Sequence, residues 1–91
     1  MTKIQTNFSK IIDLVHSAKD KKLLEDFLIA LTTPYERYVL TRRVEIINRL
    51  LAGETQHQIA SDLKIGVSTV TRGQRELNLG RFKILRPKKK S

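Results

Sequence analysis

Between Gly53 and Leu77, two short helical patterns lie either side of a turn, and this pairing restricts the fold more than any other feature of the chain. Thr55 has the spacing to cap a first helix, with Gln58 three residues on as the reciprocal partner of a capping box. Ile59, Ala60 and Leu63 give that helix one apolar stripe over about two turns. Lys64, Ile65, Gly66 and Val67 form the turn, after which Ser68 is expected to cap a second helix with Val67, Val70 and Leu77 on its inner face and Gln74 as a polar break. Ala60 is small enough for the two helices to pack closely. Ser68, Thr69, Thr71, Arg72 and Arg75 are left facing outward, so 55–78 reads as a helix-turn-helix whose second helix is rich in hydrogen-bond donors. Lys64 stands where glycine would take positive φ freely. A lysine there costs about 1 kcal/mol, so a longer or differently shaped turn is expected.

The segments before this pair are helical as well. Asn7 or Thr6 can cap a helix carrying Phe8, Ile11, Ile12, Val15 and Ala18 on one face. Lys19 to Lys22 interrupt it, and a second helix follows through Leu23, Leu24, Phe27, Leu28 and Leu31. Pro34 ends that helix, because the residue before a proline is pushed out of the helical region. Thr33 then caps a third helix, with Pro34 in its first position and Glu36 completing a capping box. This longest helix runs to about Ala52, with Leu40, Val44, Ile47 and Leu51 on one line and Val39, Ile46 and Leu50 beside it, until Gly53 stops it in the left-handed conformation. An apolar face this wide needs more cover than two short helices give. The expected fold is all-α: a short helical bundle with a helix-turn-helix, intertwined with a second copy as a homodimer.

Charge and composition narrow the function. Of the net +9, residues 1–67 hold ten Lys/Arg against eight Asp/Glu, whereas residues 68–91 hold eight against one. The excess falls on the second helix of the pair and on the tail, which suits a polyanion, and double-stranded DNA in particular. With 91 residues and no cysteine, disulfide, zinc and thiol-nucleophile chemistry fall away, and a reducing cytoplasm is the expected compartment. No apolar run approaches the ~18 residues that cross a bilayer, so no membrane partner is expected. His16 and His57 have no nucleophile nearby and the acids alternate with bases along helix faces, which argues against an enzyme. Residues 1–80 are expected to form the helical domain and 81–91 a basic C-terminal tail, tacked to the body by Phe82, Ile84 and Leu85.

The segments Leu31-Thr32-Thr33-Pro34-Tyr35-Glu36-Arg37, Arg43-Val44-Glu45-Ile46-Ile47, Leu50-Leu51-Ala52-Gly53-Glu54 and Thr69-Val70-Thr71-Arg72-Gly73, in this order, resemble the Trp repressor family over about residues 23–78. The resemblance implies an intertwined homodimer that binds operator DNA and represses transcription. It also implies L-tryptophan as co-repressor, with its indole between Arg43 and Arg72, Thr33 at its edge and Gly73 leaving room for the ring. Guanidinium planes stack on aromatic faces and Arg72 suits a carboxylate. Glu76 departs from the family pattern, standing in place of a small hydroxyl residue. Four residues after Arg72, it has the spacing to pair with that arginine and fill the site from within. Thr32 replaces an apolar residue, the turn after Gly53 is one residue shorter, and the basic tail stands in place of a final helix. Two further readings stay open: a ligand-independent branch of the same family requiring no cofactor, and a helix-turn-helix that binds another protein.

For DNA contact the candidates are Gln56 and His57 at the start of the first helix of the pair, where free amides favour a phosphate. Gly66, Val67, Ser68, Thr69 and Thr71 lie at the base-reading end of the second helix, followed by Arg72 and Arg75. Hydroxyls contact several bases indiscriminately, so water and a Val67 contact with a thymine methyl would share the readout, while Arg75 is better placed for a phosphate.

Overall fold

A computed structural model describes residues 3–87, and side chains from residue 7 onward. The Lys88-Lys89-Lys90 run and the Thr6 side chain lie outside the described residues. Among the described residues every regular element is helical: α1 (Lys3–Ser17), α2 (Lys21–Leu31), α3 (Pro34–Leu51), α4 (Gln56–Leu63), α5 (Val67–Asn78) and a single 3-10 turn, Lys83–Leu85. The all-α expectation holds. The chain divides into two compact units, Met1–Arg37 and Tyr38–Ser91, with α3 beginning in the first and continuing in the second.

In the first unit, α1 starts at Lys3 and so overruns the expected cap at Asn7 or Thr6. Asp20 caps α2, accepting the Leu23 N–H at 2.9 Å; it stands in the Lys19–Lys22 interruption, where its short carboxylate is free to turn back on the new helix. The capping box of α3 is complete. Glu36 N–H donates to Thr33 Oγ1 at 3.1 Å, and Thr33 N–H donates to Glu36 Oε1 at 2.8 Å. Arg37 folds back, donating to the carbonyls of Ile29 and Thr32, which closes the carbonyl end of α2. None of the described residues of α1 or α2 is buried.

The second unit holds the core. Ile46 on α3, Ile59 and Ala60 on α4 and Val70 on α5 form one buried cluster, with Leu50, Leu63 and Ile65 packed against it. Three helices here end in the same way. Gly53, Lys64 and Gly80 each take a left-handed φ (94°, 55° and 87°). At each, that residue and the next donate their N–H groups back into the last turn: Gly53 to Leu50 and Glu54 to Arg49, Lys64 to Ser61 and Ile65 to Ala60, Gly80 to Leu77 and Arg81 to Glu76. This double bond pattern satisfies carbonyls that would otherwise be orphaned, and it requires the left-handed residue. The Lys64 turn is therefore neither longer nor differently shaped. The lysine accepts about 1 kcal/mol of strain because two backbone bonds and the packing of Ile65 hold it there. Phe82, at φ 61°, is the other non-glycine residue in this region among the described residues and carries a strain of about 1–2 kcal/mol.

Arg49 ties the parts of this unit together. Its guanidinium lies 3.4 Å from Glu45, 3.3 Å from Glu54 and 3.1 Å from Asp62, joining the end of α3, the Gly53 turn and α4. Desolvation opposes its charge, yet the Asp62 hydrogen bond and the three carboxylates outweigh it, raising the arginine further above its ordinary pKa. Arg42, stacked over the Tyr38 ring at 4.9 Å and bonded to its hydroxyl, donates to the Leu63 carbonyl at 3.1 Å and so closes the end of α4 from α3.

Candidate nucleic-acid interface

The pair α4–α5 is a helix-turn-helix whose two helices pack directly on one another. Thr55 caps α4 through the Gln58 N–H at 3.1 Å. α5 starts two residues earlier than expected: Gly66, not Ser68, is its N-cap, and no side chain caps it. Ser68 lies within the first turn, where its hydroxyl is free for an external partner. The N–H groups at this uncapped end can serve a phosphate.

α5 divides cleanly into two faces. Val70 and Leu77 are buried and Gly73 lies between them in the helical spacing, while Val67, Ser68, Thr69, Thr71, Arg72 and Arg75 are all exposed. Ser68, Arg72 and Arg75 fall in line at four- and three-residue spacing, placing two guanidiniums behind a hydroxyl-bearing tip. Gly66 and His57 are exposed, and Gln56 is half-buried.

Gln56 and Thr71, both candidates for DNA contact, meet each other. The Thr71 hydroxyl lies 2.6 Å from Gln56 Oε1 and 3.0 Å from the Val67 carbonyl. One hydroxyl proton serves one acceptor at a time; a Gln56 amide turned to present its NH2 satisfies both contacts together. Either way, the two side chains latch the start of α4 to α5. The tertiary pairing of residues 15 positions apart is not visible in sequence spacing.

The residues assigned to a co-repressor divide differently. Arg43 and Arg72 are both exposed and neither makes an ion pair or hydrogen bond among the described residues. Arg72 does not pair with Glu76, contrary to the expectation from their spacing. Glu76 instead faces Arg81, 3.6 Å away, because the left-handed turn at Gly80 brings Arg81 back over the last turn of α5. Gly73 does not face open space. A Cβ built on it would lie 3.2 Å from Ile47 Cδ1 and 3.3 Å from Ile46 Cγ2, so the missing side chain permits close approach of α5 to α3. Thr33 belongs to the first unit, where its side chain is engaged in the α3 capping box.

The tail also departs from expectation. Phe82 and Leu85 are half-buried, but Ile84 is 94% exposed and tacks nothing down. Arg86 donates to the Leu77 carbonyl at 2.7 Å and to the Arg81 carbonyl at 3.2 Å, so it caps α5. Sequence reasoning missed Arg42, Arg49 and Arg86 as positioning residues. Only the Glu45–Arg49 pair, four residues apart on one helix, left a sequence signal.

With this geometry in place, comparison with known proteins is decisive. The profile of the Trp repressor protein family matches residues 6–84. The chain belongs to the Trp repressor family. Its relatives include the Trp operon repressor homologs of Vibrio campbellii, 44% identical over 72 residues (78% of this chain and 72% of that protein), and Vibrio vulnificus, 43% identical over 75 residues (81% and 74%). That of Vibrio cholerae is 41% identical over 73 residues (79% and 71%). These names are those of repressors, not of enzymes. The chain is a Trp repressor-family regulator, and no helix among its described residues is long and apolar enough to cross a membrane.

Proposed function

We propose that this protein represses transcription as a homodimer that reads operator DNA with α5. The observation that carries the reading is the division of α5 into a buried face locked to the core and an exposed face bearing Ser68, Thr69, Arg72 and Arg75, at the head of a segment with eight cations and one acid. Thr69 and Ser68, at the tip, contact base edges; Arg75 and the uncapped amides hold phosphates. Residues 1–80 act as the helical domain and 81–91 as a basic arm, in a cytoplasmic setting.

The dimer has a separate support. Phe8, Ile12 and Leu14 on α1, Leu23, Leu28, Ile29 and Leu31 on α2, and Leu40 and Val44 on α3 are all exposed in the single chain. Apolar residues in this number, seven of them on α1 and α2, where no described residue is buried, mark a capacity for association. A second copy supplies the cover that one chain lacks.

L-Tryptophan is the co-repressor that family membership suggests. The free guanidiniums of Arg43 and Arg72 suit an aromatic amino acid, stacking on its ring and pairing with its carboxylate. The filled space beside Gly73 favours the opposite reading, regulation without a ligand, and a carboxylate at position 76 would repel that of an amino acid. Calorimetry with L-tryptophan on the protein and on Glu76→Ser separates them: heat from the variant alone identifies Glu76 as the block, and heat from both removes Glu76 from the argument.

A salt titration of duplex binding by fluorescence anisotropy tests the DNA reading itself. Removing Lys88 to Ser91 deletes three lysines and spares Arg86, so the slope of log affinity against log salt should flatten by up to about 2.7 per chain. Affinity for duplex that does not fall with salt would favour a protein partner for α5.

A further inference from the structure

The chain leaves α5 through a hook held by its own bonds. Gly80 turns the backbone, Arg81 returns to Glu76, and Phe82 in the left-handed region opens a single turn closed by the Leu85 N–H on the Phe82 carbonyl at 3.0 Å. Arg86 then reaches back to the carbonyls of Leu77 and Arg81, fastening the far end of the hook to the end of α5. Strained backbone persists only where its surroundings hold it, and here four contacts do so.

What the hook presents is Ile84. At 94% exposure it is the most exposed large apolar side chain among the described residues, whereas Phe82 and Leu85 on the same hook are half-buried. In sequence, the charged residues after Glu76 have one sign. Arg81, Lys83 and Arg86 are the ionisable residues of the hook, Lys88 to Lys90 follow, and no acid stands after Glu76. A duplex attracts such a surface. Isoleucine among cations is also a side chain that proteins press against sugars and base steps of a duplex groove.

We infer that the hook of residues 80–86 is a second duplex-contacting device, with Ile84 as an apolar wedge against the groove beside the one that α5 enters, Lys83 on a phosphate, and Arg86 as the latch that holds the tip in place. This rests on the operator-binding reading above, and it adds a contact that α5 does not make. An apolar contact displaces no counterions, so its loss lowers affinity equally at every salt concentration, whereas loss of a phosphate-bound lysine flattens the salt slope.

The test compares the full chain with Ile84→Ala and Lys83→Ala for binding to a duplex that the original protein holds, across a salt series. Ile84→Ala should bind about tenfold more weakly with the same slope, for partial burial of the three carbons removed. Lys83→Ala should flatten the slope by about 0.9 per chain. Since Ile84 packs on nothing, its variant should melt at the original temperature. Unchanged affinity for Ile84→Ala overturns the inference, and so does a shift of that variant from dimer to monomer without DNA, which would assign the tip to the subunit interface. If the original protein binds no duplex at low salt, the operator reading itself fails, an outcome distinct from a failure of the variants alone.

Discussion

Gly73→Ala sets two effects of known size against each other. Alanine is favoured over glycine inside a helix by about 1 kcal/mol, so an exposed position would gain stability from the change. At Gly73 the new methyl would stand 3.2 Å from Ile47 Cδ1, 3.3 Å from Ile46 Cγ2 and 3.7 Å from Leu50 Cδ1. Two of these contacts are several tenths of an ångström inside the ordinary separation of carbon atoms. Ile46 and Ile47 are 2% and 1% exposed, so neither has solvent to swing into; either they leave their rotamers or α5 moves off α3. Forcing an extra methyl into a packed core costs typically about 1–3 kcal/mol. The balance is a net loss of roughly 1 kcal/mol, which for a chain of this size lowers Tm by about 4–8 °C. Urea denaturation followed by circular dichroism, at fixed protein concentration because a dimer couples stability to concentration, reads the difference. A variant more stable by the full propensity gain would show that the α3–α5 contact has slack, and would refute the close-approach explanation of Gly73.

Three further outcomes follow from particular residues. Lys64→Gly relieves a left-handed lysine in a turn that otherwise suits glycine, and should raise stability by roughly 0.5–1 kcal/mol in the same denaturation assay; a loss would mean that the lysine side chain makes up for its strain. Thr55→Ala removes the hydroxyl that accepts the Gln58 N–H and should cost about 1 kcal/mol, whereas Thr55→Ser should cost little. Thr69→Ala should weaken binding to a selected operator more than to random duplex, as measured by competition; equal losses on both would show that the tip of α5 does not read sequence.

The parts legible in the sequence are those governed by local spacing. The capping box at Thr33 and Glu36, the Thr55 cap, the glycine stop at Gly53 and the apolar stripe through Ile59, Ala60 and Leu63 each depend on residues within a turn or two, and each is present. The misjudged points depend on partners distant in sequence or on a choice between equivalent local bonds. Glu76 had Arg72 at helical spacing, but the turn at Gly80 offered Arg81 instead. Gln56 and Thr71 read as separate candidates for DNA contact, with no sign of their mutual bond, because nothing local joins α4 to α5. Arg86 read as one more cation in a basic tail, although its guanidinium caps a helix nine residues back. Lys64 was judged on its own conformational preference, while the bonds of the Schellman-type turn around it decided the matter.

Sedimentation velocity of the purified chain, alone and with a selected duplex at low ionic strength, is the most direct trial of the whole account. It predicts a dimer in the absence of DNA and two chains per duplex in the complex. A monomer that sediments apart from every duplex offered would contradict it.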